Sequence, residues 1–203
     1  MSEMAPMTAP LLLFAPGAGA PSTSAWMQSW RARLAPLGQV VTFDYPYMRA
    51  GRRMPDRAAV LIAAHAEALA QARRAFPAAQ RLFLIGKSMG SRMGCHLALE
   101  TAVTGVICLG YPLVSGSSGA KRDQVLLALR TPILFVQGTN DQLCPLPDLE
   151  AVRGKMQAPN QLFVVPGGDH SLQISSAKSR RDAQEASNQA VLAAIRAFVQ
   201  GAA

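Results

Sequence analysis

The sequence predicts an α/β protein with a doubly wound, mainly parallel sheet of six strands and helices on both faces. Three observations lead there. Six short apolar runs recur, at residues 11–15, 40–43, 82–85, 105–110, 132–138 and 161–165, each of strand length and too evenly apolar for a strand with one wet face. The stretches between most of them carry helical periodicity, and strands alternating with helices build a parallel sheet with right-handed crossovers. The third run passes directly into Gly86-Lys87-Ser88-Met89-Gly90 and then into a helical pattern, a sharp strand–turn–helix junction.

Taken in order, residues 1–9 read as a flexible leader ahead of Leu11-Leu12-Leu13-Phe14-Ala15. Pro16-Gly17-Ala18-Gly19-Ala20-Pro21 is a loop, and Ser22 to Ser24 offer caps for a helix over 26–34. The second strand, 40–43, ends in Asp44-Tyr45-Pro46-Tyr47, and a loop leads to an alanine-rich helix from about Asp56 to Arg74. Val60, Leu61, Ala64, Ala68 and Leu69 share one face of that helix. The helix after the serine turn runs to about Glu100, and a polar loop at 115–119 precedes a short helix at 123–129. The terminal helix places Val191, Ala194, Ile195, Phe198 and Val199 on one stripe. The connection between the fourth and fifth strands is too short for a cap domain, and 203 residues are expected to form a single domain, 1–203.

Composition narrows the function classes. Half the residues are apolar and 16% are charged, which excludes a disordered chain. The run at 11–15 is too short to span a membrane and follows no basic segment, so neither a membrane anchor nor a secretory signal is expected. Cys95, Cys108 and Cys144 lack metal-ligand spacing; three reduced thiols in a cytoplasmic protein, with no metal and no cofactor, are the expectation. The net charge of +8 is dispersed over small groups such as Arg31 and Arg33, Arg73 and Arg74, and 178–181. No aromatic residues interleave with them as stacking platforms, so they read as solvated surface and not as a nucleic-acid site.

The turn Gly86-Lys87-Ser88-Met89-Gly90 is the G-x-S-x-G pattern in its required setting, which lifts a serine hydroxyl above the sheet edge. Glycines two residues either side avoid collisions where helix and strand pack closely, and the serine backbone carries strain of about 1–3 kcal/mol. A phosphate-cradling loop ending in Gly-Lys-Ser is excluded, because it needs a glycine where Arg81 stands. In a parallel sheet, function gathers at the carboxyl ends of strands. The fifth strand ends in Gly138-Thr139-Asn140-Asp141 and the sixth is followed by Pro166-Gly167-Gly168-Asp169-His170. Ser88, Asp141 and His170 thus occur in the order and at the places a catalytic triad requires. A serine hydroxyl is a weak nucleophile until a neutral imidazole takes its proton, and a carboxylate must fix the imidazole tautomer and stabilise the imidazolium. Asp141 as a helix cap and His170 as a loop histidine are the plainer readings of each residue alone; His65 and His96 sit within helices, away from strand ends.

Two loops near that edge have rival readings. Gly17-Ala18-Gly19 with Asp44 downstream has part of a dinucleotide fingerprint, but Ser22 stands where the third glycine belongs and Pro21 interrupts the turn. The preferred reading is an oxyanion loop, with the backbone N–H groups of Ala18 and Met89 as donors. Arg49, Arg52 and Arg53 either grip an anionic substrate group or pin their own loop, for example through Asp56; the second is preferred.

From about Leu11 to Phe198 the chain resembles the small, cap-less α/β-hydrolases of the KANL3/Tex30-like and dienelactone-hydrolase-like kind. The resemblance is carried by Pro16-Gly17-Ala18-Gly19, Phe43-Asp44-Tyr45-Pro46-Tyr47-Met48, Gly51-Arg52-Arg53 with Pro55-Asp56-Arg57, Gly86-Lys87-Ser88-Met89-Gly90-Ser91-Arg92, Gly110-Tyr111-Pro112-Leu113, Gln137-Gly138-Thr139-Asn140-Asp141 and Gly168-Asp169-His170-Ser171. It implies a minimal α/β-hydrolase fold and a serine hydrolase, an esterase or other acyl hydrolase of small-molecule substrates, with Ser88, Asp141 and His170 as triad. Two departures stand out: Pro16 replaces the histidine common before the oxyanion site, and dienelactone hydrolases proper use a cysteine where this chain has Ser88. The alternative function is a binding or scaffold module that keeps the fold without turnover.

Overall fold

The computed structural model describes residues 9–115, 119–174 and 180–202. Nearly all of the expected leader, the middle of the loop at 115–119 and part of the basic group at 178–181 lie outside the described residues. The elements run β1 (Leu11–Ala15), α1 (Ala25–Leu34), β2 (Gln39–Thr42), α2 (Pro46–Arg49), α3 (Ala58–Ala75), β3 (Leu82–Lys87), α4 (Met89–Glu100), β4 (Gly105–Leu109), α5 (Gln124–Ala128), β5 (Ile133–Gly138), α6 (Leu146–Arg153), β6 (Asn160–Val165) and α7 (Arg180–Gly201). The six strands form one sheet in the order β2-β1-β3-β4-β5-β6, and every pairing is parallel. No separate cap stands over it among the described residues.

The central strands β1, β3, β4 and β5 are apolar along most of their length because alternate residues feed two different cores. Leu12, Phe14, Phe83, Ile85, Ile107 and Leu109 pack with Met27, Trp30 and Leu34 of α1 and with Val191, Ile195 and Phe198 of α7. Their neighbours Leu11, Leu13, Leu82, Leu84, Val106 and Cys108 face the other way, onto Leu69, Leu97, Leu126, Leu149 and Val152 from α3 to α6. Each fully buried side chain of this size contributes about 1.5–3 kcal/mol. Burial on both faces holds for β1, β3, β4 and β5. The edge strands β2 and β6 are only half-buried, since each lacks a neighbour on one side.

Some boundaries and faces differ from expectation for local reasons. β5 begins at Ile133 because Pro132 has no N–H to donate, although its carbonyl still accepts from Val106. Pro46 opens the short helix α2, where its missing N–H costs nothing. On α3 the buried stripe is Leu61, His65, Ala68, Leu69 and Ala72, and Val60 is exposed. His65 thus replaces an apolar residue in the packed stripe: its ring lies against Phe43 and Tyr45, and burial pushes its imidazole down to about 3, so it is neutral.

Candidate active site

The carboxyl ends of all six strands lie along one edge, and the turn between β3 and α4 rises from its middle. Ser88 has φ 50° and ψ −113°, a conformation that L-residues adopt only under constraint. The constraint is close contact. A Cβ on Gly86 would lie 2.1 Å from the Ser91 nitrogen, and one on Gly90 would lie 2.6 Å from the carbonyl oxygens of Ala15 and Pro16. Both glycines are therefore demanded by backbone against backbone, as the pattern requires. Ser88 donates its own N–H to the Leu109 carbonyl, and its carbonyl accepts from the Ser91 hydroxyl at 2.7 Å.

The loops after β5 and β6 are clamped to each other. The Asn140 N–H donates to Gly168 O at 2.9 Å, the Gly167 N–H donates to the Thr139 hydroxyl at 2.8 Å, and Asn140 Nδ2 donates to Gly167 O at 3.2 Å. A Cβ on Gly138 would fall 2.1 Å from the Gly168 oxygen, so only glycine permits this approach. Asp169 closes the second loop by accepting the N–H groups of Ser171 and Gln173 at 2.7 and 2.9 Å. The outcome is a hydrogen-bonded line of three side chains. His170 Nδ1 lies 2.7 Å from Asp141 Oδ2, and His170 Nε2 lies 2.8 Å from Ser88 Oγ. An ionised carboxylate only accepts, so Nδ1 carries the proton and Nε2 is left to accept from the serine hydroxyl.

Asp141 is 3% exposed. Burial pushes its carboxyl up, but the hydrogen bond and electrostatic attraction to His170, with further hydrogen bonds from the Leu143 N–H and Gln137, outweigh burial and hold it below the ordinary range. Gln137 is itself buried: Nε2 donates to Asp141 Oδ2, and Oε1 accepts the Tyr111 N–H at 3.1 Å. It fixes the carboxylate orientation, a role visible in the sequence only as a polar residue ending an apolar strand. Lys87 is the other residue that pattern reading passed over. Its side chain is 8% exposed, its ammonium donates to the His170 carbonyl, and Nζ stands 5.6 Å from the centre of the Trp26 ring.

Ser88 and His170 open into a cavity of about 350 Å³ walled mainly by Ala18, Ala20, Trp26, Met27 and Leu143, with Lys87 also at its wall. That size is at the small end of ligand pockets. Ala18 lines the cavity, and its carbonyl is anchored by the Tyr47 hydroxyl at 2.9 Å. Asp44, the acidic residue of the discarded dinucleotide reading, accepts the Ser22 N–H at 2.6 Å and so braces the same loop. Met89 is the first residue of α4, where backbone N–H groups lack helical partners. A second hollow, about 380 Å³, adjoins across Ala18, Gly19 and Ala20 and is lined by Arg52 and Arg53. Arg52 pairs with Asp56 at 2.7 Å, Arg49 donates to the Asp44 carbonyl at 3.2 Å, and Arg53 is exposed. Among the described residues no group of His, Cys, Asp and Glu could hold a metal ion, and no helix is long and apolar enough to cross a membrane.

Topology and site together define an α/β protein whose sheet edge gathers a strained serine, a histidine and an aspartate. The chain belongs to the alpha/beta hydrolase domain family, whose profile matches residues 8–200. Its fold is similar to an alpha-beta serine hydrolase homologue from Coxiella burnetii, at 16% identity and a TM-score of 0.71, over 98% of this chain and 88% of that one. It is also similar to a dienelactone hydrolase from Anabaena variabilis, at 19% identity and a TM-score of 0.62, over 89% and 85% of the two chains. The esterase domain of a Rhodothermus marinus protein matches at 16% identity and a TM-score of 0.63, over 97% and 90%. At these identities the likeness is one of fold.

Proposed function

We propose that the protein is a serine hydrolase, an esterase or related acyl hydrolase of small molecules, with Ser88, His170 and Asp141 as its triad. The observation that carries this reading is the line Asp141–His170–Ser88, with bonds of 2.7 and 2.8 Å, ending at a strained serine on the wall of a cavity. Ser88 Oγ attacks the acyl carbonyl as its proton passes to His170 Nε2, and Asp141 stabilises the imidazolium that forms. The carbonyl oxygen becomes an oxyanion held by the N–H groups of Ala18 and Met89, each such donor being worth about 3–4 kcal/mol. His170 then gives its proton to the departing alcohol as the acyl–oxygen bond breaks. Water, deprotonated by the same imidazole, then attacks the acyl-enzyme; as the acyl–Oγ bond breaks, the acid leaves and His170 returns the proton to Ser88 Oγ. The naming of one similar fold as an esterase domain and another as a serine hydrolase homologue agrees with this chemistry. The apolar walls and small volume favour a short, uncharged acyl group.

Within the family we further propose a place beside the KANL3/Tex30-like members, on the strength of the Gly-Lys-Ser-Met-Gly turn and the Gly51-Arg52-Arg53 loop. The three cysteines are buried and unbridged, in keeping with the proposed cytoplasmic location. The test is labelling of Ser88 by a fluorophosphonate probe together with hydrolysis of p-nitrophenyl esters of graded acyl length. Ser88→Ala is expected to lose labelling and at least about ten-thousandfold in kcat. Its thermal stability should stay within about 1 kcal/mol of the parent. Turnover that survives in Ser88→Ala would sink the proposal.

A further inference from the structure

We propose that Lys87 is a positioning residue: its buried ammonium ties the histidine loop to the serine turn and so keeps the His170 imidazole in register with Ser88. The inference rests on the serine-hydrolase reading above. Lys87 ends β3 and is joined covalently to Ser88, so a bond from its ammonium to the His170 carbonyl links two members of the triad through one side chain. The next carbonyl, Ser171 O, is held by Trp26 Nε1 at 2.9 Å, and the Trp26 ring lies beside the Lys87 ammonium. Two donors from different elements therefore fix consecutive carbonyls of the histidine loop. Gly110, with φ +67°, leaves the space: a Cβ there would lie 2.5 Å from His170 O and 3.2 Å from Lys87 Nζ. Packing alone has no need of an ammonium here. A methionine would fill the same space without the cost of desolvating a charge.

The charged and polar groups that face Lys87 are the carboxylates of Asp141 and Asp169, the His170 carbonyl and the Trp26 ring. Burial pushes the Lys87 ammonium down to about 8, against the opposing pull of Asp141 and Asp169. Below that value a charge-assisted bond holds the loop; above it the donor is a neutral amine and the bond is roughly half as strong. The unfolded chain keeps this proton up to about 10.5. Between about 8 and 10.5 the unfolded state therefore binds the extra proton, and on this group alone stability rises with pH. Activity is expected to fall as pH rises through about 8, where the folded protein loses this proton. A residue that only stabilised the fold would not separate the two.

The experiment compares the parent with Lys87→Met for hydrolysis of p-nitrophenyl acetate from pH 6 to 9.5, with thermal melting at each pH. The variant is expected to lose about 10- to 100-fold in kcat with KM within about twofold, as for a misplaced catalytic group. The parent's alkaline limb near pH 8 should be missing from the variant. Unchanged kcat with the same limb, or a change confined to KM, overturns the inference. Should Lys87→Met fail to fold, the parent alone decides: fluorophosphonate labelling must fall above pH 8 while the melting temperature holds, and labelling that tracks melting refutes the role. A parent with neither turnover nor labelling removes the serine-hydrolase reading. The Lys87 contact is then judged by NMR, where the His170 ring resonances should show an inflection near pH 8 as Lys87 deprotonates; a flat response there refutes it.

Discussion

The loops carrying Asp141 and His170 leave the same edge of the sheet as the loop from Arg49 to Arg53, yet they are held by contacts of different kinds. The first two are joined to each other by main-chain bonds from Asn140 and Gly167 and by a glycine approach with no room for a methyl group. The Asp141 side chain is turned inward, with three donors around its carboxylate. The arginine loop is held by main-chain bonds to α2, by the Arg49 bond to the Asp44 carbonyl and by the Arg52–Asp56 ion pair, and its guanidinium groups stand largely in water. Buried polar groups must satisfy one another, so each partner restricts the rest and the geometry becomes sharp. Exposed charges exchange protein for water at little cost, and their loops are held loosely. Three arginines within five residues draw the eye in the sequence, but the precise region is the one marked by glycines and by isolated polar residues in apolar strands.

The largest expected effect breaks the precise region at its charge. Asp141→Asn keeps the size of the side chain and its bond from the Leu143 N–H, but favours the wrong tautomer of His170. A loss of up to about ten-thousandfold in kcat is expected, with KM little changed. Steady-state kinetics on a p-nitrophenyl ester measures it, and a loss below about tenfold would mean that Asp141 does not orient His170.

A smaller effect is expected from breaking the glycine clamp. In Gly138→Ala the new methyl would sit 2.1 Å from the Gly168 oxygen and 2.6 Å from the Asp169 oxygen, so the histidine loop must shift. A loss of more than about 2 kcal/mol in stability is expected. A drop of about a hundredfold in kcat from the displaced imidazole should accompany it. Denaturant unfolding and kinetics on the same sample check both. Full activity would show that the loop can move without disturbing His170.

Much of the precise region was legible beforehand because its requirements are local. An apolar strand entering Gly86-Lys87-Ser88-Met89-Gly90 specifies the turn, and the places of Asp141 and His170 follow from strand ends in chain order. The two-core sheet is likewise written in runs such as Leu11 to Ala15, where both faces are apolar. What was not legible depends on where long or amphipathic side chains end up. Lys87, to which the turn pattern assigns no role, is buried against Trp26; Val60, expected on the packed face of α3, is exposed, while His65 is buried in that stripe. Helical periodicity locates a stripe only to within a residue or so, and nothing local says which neighbour a lysine will meet. Gln137 is the middle case, its polarity at the end of a buried strand being a signal that only the Asp141 contact explains.

The smallest effect belongs to the arginine loop and tests whether it is truly the loose region. The Arg52 side chain is 53% exposed and bonds to Asp56, whose other carboxylate oxygen is buried without a hydrogen-bond partner among the described residues. Removing the guanidinium takes away a carboxylate bond, but solvent screens the pair, so Arg52→Ala should cost no more than about 1 kcal/mol. The cost should shrink at high salt, where such a pair is screened further. Arg53→Ala, at an exposed position, should be neutral within about 0.5 kcal/mol. If the loop only anchors itself, both variants hydrolyse neutral and anionic esters in the parent's ratio. Because the arginine-lined hollow shares Ala18, Gly19 and Ala20 with the cavity at Ser88, the opposite result has a clear meaning. A loss of tenfold or more confined to anionic esters, at unchanged melting temperature, would make the hollow a substrate subsite and the arginines its grip.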